Sequence, residues 1–582
     1  MTTPFFRRAA APAGAALALA LVLAGCGASI GGDDGDDADA GPSQSAPPAT
    51  GGTVTVAVGD GWTAYNPNTT TGGASHNIVV RNLIQSSFWT TDETGAIVRN
   101  EQFGSFEKVS DDPLTVEYTL HEDAVWSDGT PIDFDDALLD WAADSMSFTD
   151  DAGQPLFDVF GSATGPLKQQ PEGEPGDKSF TIVYSEPTAD WETAVTSFLP
   201  AHVVAREAGM SPEELVEAIR TRDAEAVARI AEFWNTGWQY TAEAPVPDPE
   251  LVPASGPFRL ASRDGSSLVL ERNEEYWGTP AELDTLVLRT LDPAEQVPAL
   301  VNGDVDVIRP QADGDVLGQL EGAGGVTTLT GDQITYDHVD FRLASPVFAS
   351  LEARQAFAAC VPRQQIVDNL YATVNPDAQI AQLREYLPFQ PEYETVLAGV
   401  PTAAEYAETD LDAARGLLAA SGVADPSITL LTSATNARHS SIAAMIESSC
   451  EQAGFDVTLD LDANWSEKMG TESWDAVLFQ WSGTGTVAAT QDIFVTGGGL
   501  NFGGYSDAEV DAIWAEIVAT TDPATVPELK ARLEERLWAT MYNVPIATQP
   551  AVTAFSDRVA GVVHNPTGSG VTFNAAEWSV TG

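Results

Sequence analysis

The residues of this chain able to do chemistry are its six histidines, its three cysteines and a few tryptophans set in polar loops. The histidines, His76, His121, His202, His338, His439 and His564, are scattered, with no HExxH pair. No GxSxG elbow and no Walker A loop occurs, and "GTGT" at 483–486 lacks the GK[ST] ending that holds a phosphate. The cysteines show neither CxxC nor zinc spacing, so no metal and no cofactor are expected. Catalytic carboxylates carry no signature, so motifs leave carboxylate-based hydrolysis open. Cys26 stands apart, because it closes the apolar stretch "LVLAGC".

Arg7 and Arg8 give a basic start, and residues 9–25 are apolar and uncharged. That run is short of the roughly 20 apolar residues a membrane span needs, and it reads as the core of a secretory signal. Its ending, Leu23-Ala24-Gly25-Cys26, resembles the lipobox of bacterial lipoproteins, in which the thiol is lipidated and becomes the mature N-terminus. An ordinary signal with an incidental cysteine is the plainer alternative. Residues 26–52, rich in Asp, Gly, Ser and Pro with little to bury, are expected to form a disordered tether.

The elements that must position any site follow from composition and periodicity. Beyond the tether, about 530 residues remain, too many for one core and suited to two or three domains. A hydrophobic fraction of 43% supports globular folding, and a net charge of -59 repels polyanions, which argues against nucleic acid as a partner. "TVTVAV" (53–58) and "LTVEYTL" (114–120) alternate as strands. Asp133 is a plausible N-cap for a helix burying Ala137, Leu138, Trp141 and Ala142. "SGPFRLASRDGSSLVLERNEEYWG" (255–278) reads as a hairpin. Two βαβ units follow, one over 283–308 and one over 427–461, and "WDAVLFQW" (474–481) is a strand-length apolar run. The last helices fall near 506–519 and 526–541, before a strand at 544–548. The pattern is α/β, with mixed sheets flanked by helices.

Taken together, "EYTLHEDAVWSDGTPIDFDDAL", "SGPFRL" with "LERNEEYWG", "LDTLVLRTLDPAEQVPALVNGDVDVI", "LEARQAFAACVPRQQIV", "DLDAARGLLAASG", "WDAVLFQWSG" and "YSDAEVDAIW" resemble the extracellular solute-binding proteins of oligopeptide and dipeptide ABC importers, family 5. The resemblance covers nearly the whole mature length. It implies a two-lobed periplasmic-binding-protein-like fold that binds rather than turns over its ligand, and ABC permease and ATPase subunits as partners. The protein would be a monomer, lipid-anchored at the outer face of the cytoplasmic membrane. Lobe I is expected at 53–290 and 545–582, with an inserted subdomain at about 70–175, and lobe II at 291–544.

Three loops could line the interlobe cleft: "GDGWTAYNPN" with Trp62, Tyr65 and Asn66, "WSGTGT" with Trp481, Ser482 and Thr484, and "DANWSEKM" with Trp465. A loop tryptophan beside small polar residues offers a flat apolar face flanked by hydrogen-bonding groups. The alternative is that each caps a core, and for Trp465 that is the better reading. Peptide-binding relatives commonly carry an Asp-rich segment after the strand bearing Trp481. Here Thr484 stands where that Asp would align, so the ligand need not be a free peptide. A similar "NPN" opening occurs in relatives linked to cell-wall mannolipid assembly, which is the alternative role. Cys360 and Cys450 each end a helical pattern outside the cell, and they are either a disulfide or two buried thiols.

Overall fold

The computed structural model describes residues 51–160, 164–471, 473–483 and 486–581. Cys26, the tether up to residue 50, and Thr484 lie outside the described residues.

Strand β1 (Thr53–Val58) is followed by a small hairpin, β2 (Trp89–Thr91) and β3 (Ile97–Arg99). Next comes a separate antiparallel sheet of β4 (Gly104–Asp111), β5 (Leu114–Leu120) and β6 (Ser179–Val183). The alternation in β5 buries Val116, Tyr118 and Leu120. The helix Phe134–Asp144 starts on the expected Asp133, whose side chain accepts from the Asp135 N–H while Asp136 reaches back to the Asp133 N–H. This reciprocal cap satisfies donors the helix cannot.

The hairpin β7 (Phe258–Asp264) and β8 (Ser267–Arg272) joins β9 (Thr285–Thr290) and, after the helix Pro293–Asn302, β10 (Val307–Ile308). Strands β9 and β10 flank β1, both parallel to it. The helix between them packs with Ala57, Ile308 and Val552, so residues just past 290 still belong to the sheet around β1.

Two long strands then carry the chain across the molecule: β11 (Val326–Phe341) and, near the C-terminus, β15 (Asn543–Ser556). Between them in sequence lie β12 (Ser427–Ser433), β13 (Asp456–Asp462) and β14 (Ala476–Ser482), mutually parallel. A last pair, β16 (Val559–Ala560) and β17 (Ser579–Val580), closes the chain. The main sheet has ten strands in the order β13-β12-β14-β11-β15-β10-β1-β9-β8-β7. The β11–β15 pairing slips between Asp332 and Tyr336, and such irregularities let a strand bend.

Separate cores sit on the two halves of this sheet, one around Trp126, Phe134, Trp234 and Trp578, the other around Phe341, Phe357, Ile446 and Trp538. In the second, Cys360 and Cys450 form a disulfide with a Cα–Cα distance of 5.0 Å. The fold is two-lobed α/β.

Candidate functional site

Strand direction decides where a site can form. The amino-terminal part of β11 pairs with the end of β15 beside β10, and its carboxyl-terminal part pairs with the start of β15 beside β14. Since β15 is antiparallel to both β10 and β11, the strands β1, β9 and β10 run toward the second half. Strand β14 is antiparallel to β11, so β12, β13 and β14 run back toward the first half. Both sets of parallel strands therefore end facing each other across the bend, where open α/β sheets place their ligands.

A cavity of about 600 Å³ opens at the ends of the first set. It is lined by Val58 and Thr290, the last residues of β1 and β9, by Arg309 just after β10, by the start of the helix Ser75–Ile84, and by Trp62, Gln296 and residues 568–572. Trp62 is held from two sides. It stacks on Tyr240 with ring centroids 5.2 Å apart, while the Arg263 guanidinium lies 5.7 Å from its ring and donates to the Trp62 carbonyl at 2.9 Å. Burial pushes the Arg263 guanidinium down, as does burial of Arg309. A second recess of about 150 Å³ lies at the end of β14, lined by Trp481, Ser482, Tyr336, Tyr386 and Lys530. The Trp481 indole is stacked near-parallel to Phe502 and His338, and its buried Nε1 has no acceptor among the described residues.

The sequence-derived candidates divide. Trp62 lines the larger cavity, and Trp481 and Ser482 the smaller. Ser482 shares a hydrogen bond of 2.7 Å with Thr335 across the β11–β14 pair. Tyr65 and Asn66 are buried in the first core and committed there, Tyr65 Oη donating to the Pro253 carbonyl and Asn66 Nδ2 to the Trp234 carbonyl. Trp465 packs on Phe479 at 5.8 Å, in a cluster with Leu431 and Met469. Sequence reading missed Arg309, Gln296 and Asp190. For Arg309 a signal existed: a cation directly after the strand "VDVI", at the carboxyl end of a βαβ unit.

Asp190 joins the halves. Its carboxylate, 5% exposed as a residue, accepts from the N–H of Val487 at 2.6 Å and of Ala488 at 2.9 Å, on the segment after β14. Lys530 fastens the same segment to its own half through the Val487 carbonyl at 3.0 Å, and pairs with Glu385. A second bridge gathers on Thr521, whose carbonyl accepts from Lys108 at 2.8 Å and Trp191 Nε1 at 3.1 Å, while its hydroxyl meets Asp111 at 2.9 Å. Hydrogen bonds to a charged acceptor are each worth about 1.5–3 kcal/mol. Asp190→Ala should therefore speed amide exchange at Val487 and Ala488 by more than tenfold while leaving both cores protected. Unchanged protection at those two amides would show that the bridge is not holding the segment.

Among the described residues no cluster of three metal-ligating side chains occurs, and no helix is long and apolar enough to cross a membrane.

Comparison with known proteins adds the family. The model of the bacterial extracellular solute-binding proteins, family 5, matches residues 83–498. The chain belongs to that family. It is 29% identical over 543 residues to an uncharacterized lipoprotein, ML0489, of Mycobacterium leprae, covering 89% of this chain and 91% of that one. It is 23% identical over 483 residues to the oligopeptide-binding protein OppA of Mycobacterium tuberculosis, covering 80% and 74%. Among solved structures, a periplasmic EDTA-binding protein, EppA, is similar at a TM-score of 0.78 with 22% identity, covering 92% of this chain and 98% of the other. The oligopeptide-binding protein AppA of Bacillus subtilis, in complex with a nonapeptide, is similar at 0.66 with 18% identity, covering 92% and 100%. The family is one of substrate-binding proteins rather than enzymes.

Proposed function

We propose that this protein is the membrane-anchored, extracytoplasmic binding subunit of an ABC importer, capturing an oligopeptide or a solute of similar size between its lobes and delivering it to a permease. The observation that carries this reading is the opposition of the two sets of strand ends, with a cavity on one side, a tryptophan-lined recess on the other, and, among the described residues, two strands, β11 and β15, crossing between them. Such a geometry lets a ligand touching both faces favour the closed arrangement, since a ligand shifts an equilibrium only by its differential affinity for the two states. We place the lobe boundary in the bends of β11 and β15, near residues 333 and 549, where the pairing slips. The test is mass spectrometry of the small molecules released on denaturing protein purified from its native host. A stoichiometric solute supports the reading, and none in repeated preparations counts against it.

Anchoring belongs to the same proposal, supported by relatives named as lipoproteins. Two acyl chains retain a protein stably where one does so marginally. Cys26→Ser is expected to abolish incorporation of labelled fatty acid and to shift the protein from the membrane to the soluble fraction. Persistent labelling would place the lipid elsewhere.

A further inference from the structure

We propose that the larger cavity receives an anionic headgroup, a carboxylate or phosphate on a partly apolar body, gripped by Arg309 and Gln296. The proposal rests on the binding-protein reading and narrows its ligand class.

Arg309 extends from the end of β10, half-buried, in a chain with 86 acidic residues against 27 basic ones. Yet no carboxylate among the described residues pairs with it. Its hydrogen bonds among the described residues are two long ones, to the Thr567 carbonyl and to Gln333 Oε1, each 3.4 Å, and its titratable neighbour is His564. Its Nη1 lies 3.4 Å from where a side chain on Gly570 would begin, and Gly570 lines the cavity. A cation drawn half out of water without a counter-charge is costly, and in so acidic a protein a carboxylate partner was readily available to sequence. The missing charge is the one a ligand would bring.

Gln296 is the independent observation. It is 5% exposed, lines the same cavity, and its Oε1 is buried with no hydrogen-bond partner among the described residues. Buried polar groups in folded proteins are nearly always paired, so an orphaned amide oxygen on a residue that lines a cavity is a group that rearrangement around a ligand could satisfy. The amide can turn to present its NH2 to a ligand oxygen. The start of the helix Ser75–Ile84 adds to the field. It lines the cavity, has no side-chain cap and no acid in its first turn, so its free N–H groups favour negative charge. The two carboxylates at the cavity, Asp60 and Glu243, are exposed at its mouth. Trp62, Val80, Leu268 and Leu288 supply the apolar wall.

The probes are indole-3-acetate and phenyl phosphate, with tryptophol as the uncharged counterpart and tri-alanine as a free peptide. Each is added at up to about 10 mM, which detects dissociation constants in the millimolar range, to full-length wild type, Arg309→Met and Gln296→Leu. The expected result is a rise in melting temperature with one or both acids and none with tryptophol. Arg309→Met should weaken the acid about 10- to 100-fold, as loss of a charge-assisted contact does. Gln296→Leu should weaken it too, while raising the melting temperature of ligand-free protein by relieving the orphaned amide, and so keeps the test valid should Arg309→Met fold poorly. Which acid binds separates carboxylate from phosphate. Stabilisation by tryptophol or tri-alanine but by neither acid, or acid binding unchanged in both variants, overturns the anion site while leaving a solute-binding protein. No stabilisation by any probe overturns the anion site, and the binding reading falls with it only if no solute co-purifies either.

Discussion

Replacing Glu534 with alanine should destabilise the second lobe by about 3–5 kcal/mol, the usual consequence of removing one partner from a buried ion pair. Glu534 and Arg384 are both fully buried, with Nη1 and Oε2 2.8 Å apart. The other carboxylate oxygen accepts the backbone N–H of Arg384 and, at 2.8 Å, of Glu385. Arg384 also binds the side chain and carbonyl of Asn543, at the start of β15, and lies over the Trp538 ring at 4.7 Å. Burial pushes the Glu534 carboxyl up, against the opposing pull of Arg384. A carboxyl whose pKa is raised on folding gives most stability while protonated. Its contribution therefore declines as pH climbs from the ordinary glutamate range through the raised value. Denaturant unfolding of Glu534→Ala, beside Arg384→Met/Glu534→Leu, checks the account. The single variant should be the less stable of the two, because it strands a buried charge. A loss under about 1 kcal/mol in the single variant would mean that Arg384 finds solvent or another partner.

The second large effect concerns the Cys360–Cys450 disulfide, which closes a loop spanning a sequence separation of 90 between two helices of the same core. In the chain-entropy model a loop of that length contributes about 4 kcal/mol by restricting the unfolded chain. Cys360→Ala/Cys450→Ala should lower the unfolding midpoint of the second lobe accordingly, with an unchanged first lobe. Both sulfurs are inaccessible in the folded protein, so reductant should act only once the lobe opens. A double variant as stable as wild type would show that this bond restrains little.

What could be read from sequence tracks what periodicity encodes. Strand β5 and the capped helix at Phe134 announce themselves through alternation and through Asp133 followed three residues later by Asp136. Strand β11 does not. Its stretch "GDQITYDHVDF" carries three aspartates and a histidine, a pattern that looks solvent-exposed. These groups are tolerated inside because each has a partner: Asp337 meets His439 at 3.0 Å and Gln549 at 2.8 Å, and Asp340 meets His338 and Asn543, both at 2.8 Å. Apart from His338, two residues from Asp340 on the same strand, those partners come from distant segments, so a local window contains little of the signal. The site was legible in part for the same reason. A tryptophan beside polar loop residues is visible, as Trp62 was and as Trp481 was at the end of β14, whereas Gln296 becomes informative only once the fold buries its amide oxygen and leaves it unpaired. Tyr65 and Asn66 show the converse, polar loop residues whose hydrogen bonds are used within the core.

The most direct measurement is small-angle X-ray scattering on protein stripped of bound solute by unfolding and refolding, before and after its own released small-molecule fraction is returned. If the lobes hinge in β11 and β15 as proposed, the protein should be more extended when stripped and should contract when the fraction is restored, reproducibly and with saturation. Identical scattering in both states, with the fraction demonstrably bound, would contradict closure of the lobes around a ligand.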